Sequence, residues 1–171
     1  MKKVLVVAVM LGAGLAYAST LGVPWFVDNA PTGANPPLGA GTMGIIFIHN
    51  NHSEALEVTV AYYTAVGNYI GPDTGNTFSI SPQASLGFRP VADDTAAESA
   101  AARLIPNRPR TTDPPSNTNN DGKANGSLVF EWMGPAEYLT GYYSLQKGVT
   151  RDRGPTDTTQ IYKLYGYAHL L

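Results

Sequence analysis

The chain has 171 residues, a formal net charge of −2 and no cysteine. The missing cysteine excludes disulfides, thiol catalysis and a lipid-modified cysteine, and the lack of a basic excess excludes an electrostatic footprint for nucleic acid or an anionic membrane. Charged residues are 14% of the chain, against about 25% in ordinary domains, and Gly, Pro, Asn and Thr fill the difference, as in a turn-rich β protein.

The N-terminus carries the three parts of a secretory signal. Lys2 and Lys3 form a positive start, Val4 to Leu15 is an uncharged apolar run, and Ala16-Tyr17-Ala18 puts small residues at the two positions a signal peptidase reads. The run is shorter than the roughly 20 residues of a membrane-spanning helix and contains Gly12 and Gly14, which argues against an uncleaved anchor. Residues 1–18 are expected to leave as a signal peptide, with no transmembrane segment in the product. That product is expected to be secreted, whether to the periplasm, the cell surface or beyond. What remains is long enough for one domain with a substantial core.

Residues 19–41 open on Val23-Pro24-Trp25-Phe26-Val27 and pass into a stretch where Pro31, Pro36 and Pro37 deny a regular ladder. They read as an extended N-terminal arm with one strand at its start, Trp25 and Phe26 docking either on their own domain or on a neighbour. Residues 42–50 are the clearest strand, because Ile45 to Ile48 is apolar on both faces, as in a central strand. Asn50 to Ser53 supplies turn chemistry. Over residues 55–66, Leu56, Val58, Val60 and Tyr62 alternate with Glu57, Thr59, Ala61 and Tyr63. The two strands together read as a hairpin.

Gly71 to Asn76 is a turn cluster. Phe78 and Ile80 alternate with Ser79 and Ser81 as far as Pro82, and Leu86 and Phe88 continue toward Pro90. An insertion at about 92–127 interrupts the pattern. Thr95 and Glu98 fit a capping box that opens a short alanine-rich helix, Ala96 to Leu104. Residues 106–127 have too few apolar side chains to offset their ordering entropy and read as a long mobile loop. Strands resume with Leu128, Phe130 and Trp132, then Tyr138 to Leu145, interrupted at Gly141. Gly148 to Thr158 reads as a polar turn segment. The last strand, Thr159 to Leu170, has Tyr162, Leu164, Ala168 and Leu170 on one face and Tyr165, Tyr167 and His169 on the other. The expected fold is all-β: one antiparallel β-sandwich of about seven strands over residues 42–171, with a short helix and a long polar loop.

Gly44-Ile-Ile-Phe-Ile-His-Asn-Asn, Leu56-Glu-Val-Thr-Val-Ala-Tyr-Tyr, Gly67, Thr77-Phe-Ser-Ile-Ser-Pro82 and Phe88-Arg-Pro90 follow one another over residues 44–90. This stretch resembles secreted bacterial immunoglobulin-like or fibronectin-like modules. The resemblance implies an Ig-like sandwich in the cell envelope or outside the cell and brings no catalytic residues with it. The insertion at 92–127 departs from a compact module.

Three sets of residues are candidates for chemistry. His49, His52 and Glu54 lie close in sequence across a turn and carry metal-ligating groups, without the spacing of a closed zinc site. Asn117, Asn119 and Asp121 echo the start of a calcium loop, but Leu128 stands where that loop needs a bidentate glutamate. Glu131 and Glu137 are the carboxylates a glycosidase would need; Glu131 also falls on the solvent face of its strand. No G-x-S-x-G, H-E-x-x-H or Walker loop occurs, so no enzyme activity and no cofactor are expected. The ten tyrosines include the pairs Tyr62-Tyr63 and Tyr142-Tyr143 and the row Tyr165 and Tyr167; that row, with Trp25 and Phe26, supplies the candidate partner-binding residues. The expected role is a structural or adhesive surface protein that acts by protein contact and self-associates through its arm; carbohydrate or divalent-metal binding is the alternative, and a secreted hydrolase follows it. Mass spectrometry of the exported protein is expected to find a chain beginning at Ser19, and recovery of full-length chain from the cytosol alone would count against export.

Overall fold

The structure is a computed structural model that describes residues 17–27, 42–90, 105–109, 125–152 and 158–170, with backbone alone for 147–152 and 158–170. Among the described residues there are nine strands: β1 (Ala18–Phe26), β2 (Thr42–Asn50), β3 (Leu56–Thr64), β4 (Tyr69–Gly71), β5 (Thr77–Ile80), β6 (Ser85–Phe88), β7 (Gly126–Met133), β8 (Leu139–Asp152) and β9 (Thr158–Leu170). A 3-10 turn, Ala136–Tyr138, joins β7 to β8. No helix among the described residues is long and apolar enough to cross a membrane.

The strands form two antiparallel sheets. The first has the order β1-β7-β3-β4, with β5 beside the other end of β3, and the second has the order β6-β2-β8-β9. Alternation explains which face each strand buries. Leu56, Val58, Val60 and Tyr62 of β3 and Leu128, Phe130 and Trp132 of β7 point inward from the first sheet; Ile46, Ile48, Leu86 and Phe88 meet them from the second. Phe130 is the hinge of this core. Its ring meets Phe78 and Phe88 edge-on, with centroids 6.3 and 6.0 Å away, so it touches both sheets.

All-β and antiparallel are as expected, and β2 is central, lying between β6 and β8. Three local expectations are corrected, and one that stood open, the second below, is narrowed. First, β2 and β3 are not a hairpin: they belong to different sheets, and residues 51–55 arch from one to the other. Second, the strand at the start of the arm is β1, and it pairs with β7 of its own domain from Ala18↔Met133 to Val23↔Leu128. A bulge between Val23 and Phe26 absorbs Pro24, which has no N–H for the ladder, and Phe26 enters the core fully buried while Trp25 stays 48% exposed. Phe26 is thus a core residue with no surface to offer a neighbour.

Third, the polar loop does not begin at 106. Ile105 and Arg108 are buried, Tyr62 Oη donates to the Pro106 carbonyl (2.8 Å), and Arg108 Nε donates to the Pro90 carbonyl (3.2 Å). One isoleucine and the stem of an arginine suffice to seat these residues. Fourth, Gly141 does not interrupt β8, because it pairs with Ile48 on one side and Leu170 on the other, and the strand continues to Asp152. The short helix at 96–104, its cap at Thr95 and Glu98, and the remainder of the loop lie outside the described residues, as do residues 1–16 of the signal. Replacing Phe130 by alanine is expected to destabilise the fold by about 3–5 kcal/mol, measured by denaturant unfolding. Alanine at its exposed neighbour Glu131 is expected to change stability by less than about 0.5 kcal/mol.

Candidate functional site

One end of the sandwich is tied by a polar knot around Asn50, the last residue of β2. Its side chain is fully buried. Its amide nitrogen is shared among three carbonyls, those of Glu54 (2.8 Å), Ile80 (3.0 Å) and Ser81 (3.1 Å), and its Oδ1 accepts from His52 N (2.8 Å). Asn51 continues the knot, donating from its side chain to the Glu137 carbonyl (2.8 Å) and Thr140 Oγ1 (3.2 Å). Gln83 turns in the left-handed region (φ 56°) and its side chain donates to the carbonyls of Asn51 (2.8 Å) and His52 (3.1 Å).

The histidines are held within or beside this knot. His52 stacks on Tyr138 with centroids 4.1 Å apart, and its Nδ1 accepts from Glu54 N (3.3 Å). His49 Nδ1 is 2.9 Å from Ser85 Oγ. The metal reading of His49, His52 and Glu54 is therefore not assembled: the two rings are turned to different partners on either side of Asn50, and among the described residues no three His, Cys, Asp or Glu side chains gather as a metal would require. Asn117, Asn119 and Asp121 lie outside the described residues. Glu131 on β7 and Glu137 in the 3-10 turn are both exposed.

The more informative surface is the outer face of the second sheet. Ile46 and Ile48 face the core, so Met43, Ile45, Phe47 and His49 face the other way. Met43 and Ile45 are buried there, and the half-buried Phe47 packs against them. Phe47 lies directly opposite Tyr142 of β8, and their rings stack with centroids 4.6 Å apart and planes 15° from parallel. His49 lies opposite Ser85 on one side and Thr140 on the other. Between these two rows is a depression of about 210 Å³. Phe47 and Tyr142 line it together with His49, Ser85 and Thr140, and with Ile48 and Gly141. Among the described residues no Asp, Glu, Lys or Arg side chain lines it. Such a surface can hold a neutral group that is apolar on one side and hydrogen-bonding on the other.

Of the aromatic candidates, Trp25 is exposed at the β1 edge and Phe26 is interior. The β8–β9 register sets Tyr167 opposite Ser144 and His169 opposite Tyr142, next to the outer-face row. Tyr165 has no opposite residue, because the register shifts between Leu145 and Gln146. The alternation that grouped Tyr165 with Tyr167 breaks at that bulge. Phe47 carries no signal of its own in the sequence, and Tyr142 stands out there only in the Tyr142-Tyr143 pair: their juxtaposition depends on β2 pairing with β8, which no local pattern reveals. Arg89 was also missed; it is buried just before Pro90 and is engaged there.

No protein-family model matches the chain, and no curated protein matches it. Among solved structures it is similar to the crystal structure of Thermotoga maritima 1070, with 12% identity, 85% of this chain and 90% of that chain covered, and a TM-score of 0.41. Neither fold nor function is carried over from that likeness.

The knot makes a direct prediction. Asn50→Ala leaves three carbonyls short of a donor and is expected to cost about 2–3 kcal/mol, whereas Asn51→Ala, at an exposed position, is expected to cost about 1 kcal/mol or less. Urea unfolding of the two variants measures the difference.

Proposed function

We propose that this chain is an exported structural or adhesive protein of the cell envelope or exterior, working by contact with other macromolecules. The observation that carries the reading is the Phe47–Tyr142 stack beside a depression on the outer face of the second sheet that, among the described residues, no Asp, Glu, Lys or Arg lines. Aromatic side chains with a neutral polar rim are the material of interface centres, where charge is depleted. The signal-like N-terminus supports export.

The Ig-like assignment belongs to the same proposal. β2 pairs with β6 and β3 pairs with β7, as B pairs with E and C with F in immunoglobulin domains. The outer strands depart from that plan: β8 lies beside β2, where the first strand would be, and β1 lies beside β7, where the last would be. A carbohydrate ligand is the second reading, favoured by the hydroxyls of Ser85 and Thr140 and the ring of His49 beside an aromatic wall.

Tyr142→Ala tests both. Loss of a central aromatic contact is worth about 2 kcal/mol or more, roughly 30-fold in affinity. The variant is expected to bind envelope material from the producing cell that much more weakly, with an unchanged unfolding midpoint. Loss on a glycan array instead would select the carbohydrate reading. Binding to neither surface by the unmodified protein would overturn both.

A further inference from the structure

The two sheets end in edges, and an edge strand presents unpaired N–H and C=O groups to any strand that meets it. Most of these edges are protected. β1 carries Pro24 and a bulge. β4 and β5 are three and four residues long, with Pro72 between them. β6 has four residues, set between Pro82 and Pro90. Short strands, prolines and bulges are the usual devices that prevent pairing.

β9 is the exception. It has 13 residues, no proline and one charged residue, Lys163. Among the described residues it pairs with β8 alone. The bulge at Tyr165 leaves Thr158–Leu164 as an uninterrupted run. Most of that run extends past the sheet: the last β2–β8 pair is Thr42↔Lys147, whereas Tyr162 to Thr158 pair with Gly148 to Asp152. Among the described residues this part is a two-stranded ribbon with no third strand. Such a ribbon alone is marginal in water.

We propose that the open edge of β9 over Thr158–Leu164 pairs with the same run of a second copy of this chain, antiparallel about a two-fold axis, so that the second sheets of two molecules become one. This inference rests on the contact reading and names a partner for it. With the axis at Ile161, Gln160 lies opposite Tyr162 of the second copy, Thr159 opposite Lys163 and Thr158 opposite Leu164. The single charge of each run then faces a neutral residue, and no like charges meet. The second copy meets β9 with β9 because its other edges are short or blocked by proline. A two-fold contact of this kind closes on itself and stops at the dimer. The backbone ladder supplies affinity, and alternate side chains set the register.

The test compares the full chain with two double variants by light scattering over a concentration series. Gln160→Lys/Tyr162→Lys puts lysine opposite lysine twice across the axis; Gln160→Glu/Tyr162→Lys puts glutamate opposite lysine twice. Within one molecule these positions face Thr150 and Gly148, both uncharged, so the sign of the charge is read chiefly by the second copy. The unmodified chain is expected to dimerise, the like-charge variant to dimerise at least about tenfold more weakly, and the opposite-charge variant to recover to within about threefold. Circular dichroism of all three checks the fold. Hydrogen exchange on the unmodified chain gives a second readout: amides in 158–164 are expected to slow as concentration rises. A chain that stays monomeric at about 100 μM, far above the dissociation constant of a specific dimer, overturns the inference. So does a dimer that both variants weaken equally, or that neither weakens. A monomer that still binds envelope material removes the dimer and leaves the contact reading standing; a β9 dimer that binds nothing else does the reverse.

Discussion

The side-chain amide of Asn50 is where the two sheets are joined. Its hydrogen bonds reach the arch after β2 at Glu54 and the end of β5 at Ile80 and Ser81. Both segments are crossings: the arch passes from the second sheet to the first, and the turn after β5 passes back from the first sheet to the second. One buried amide therefore holds the two crossings side by side. A buried polar group without partners is costly, and one with all its partners specifies a single arrangement. Asn50 N completes the junction by donating to the Ala84 carbonyl (3.0 Å), where β6 is about to begin.

The remaining pairings are consistent with that junction. With β2 and β3 in different sheets, β2 is free to lie between β6 and β8, and β3 between β7 and the short strands β4 and β5. Both strands bury one face against the same core. Ile46 and Ile48 commit one side of β2 to the interior, so Phe47 and His49 must stand on the other, where β8 brings Tyr142 and Thr140 to them. The outer-face depression is thus a by-product of core alternation together with long-range strand pairing. Tyr143, on the opposite face of β8 from Tyr142, reaches across Gly44 and accepts a hydrogen bond from Val27 N (3.0 Å), which ties the end of β1 to the second sheet. A Cβ at Gly44 would come within 2.5 Å of that tyrosine hydroxyl, so the absence of a side chain there is what admits the contact.

What the chain reveals locally is the set of strands with strong alternation. β2, β3, β5, β6 and β7 all appear in the period-two pattern of their apolar residues, close to their observed limits. Partnership is not legible in the same way. The residues between β2 and β3 look like a hairpin loop, because Asn, His and Ser are turn formers wherever they occur; the acceptors that make them an arch, Ile80 and Ser81, lie some thirty positions further on. Gly148 to Asp152 is polar, as a turn would be, yet the backbone pairs there with Tyr162 to Thr158 and the strand runs on. Unbroken alternation would set Tyr165 in one row with Tyr167, and a single register shift reverses every residue beyond it. The candidate metal residues were adjacent in sequence, but adjacency on either side of Asn50 sent them to different neighbours.

Composition explains how the edges are managed. A chain with 14% charged residues has few lysines and glutamates to spend on blocking strand edges, whereas its 13 prolines are abundant for the purpose. Pro24, Pro72, Pro82 and Pro90 all fall on or beside β1, β4, β5 and β6, the strands that end the sheets elsewhere. The absence of cysteine removes covalent cross-links as a further means of holding a two-stranded ribbon in place. In β9 the composition departs from its own habit: the longest edge among the described residues is without proline, nearly without charge, and carries β-branched and aromatic residues such as Ile161 and Tyr162 that favour pairing. Among the described residues the other edges are short or carry proline, and β9 is the edge along which the backbone offers a long run for a further strand.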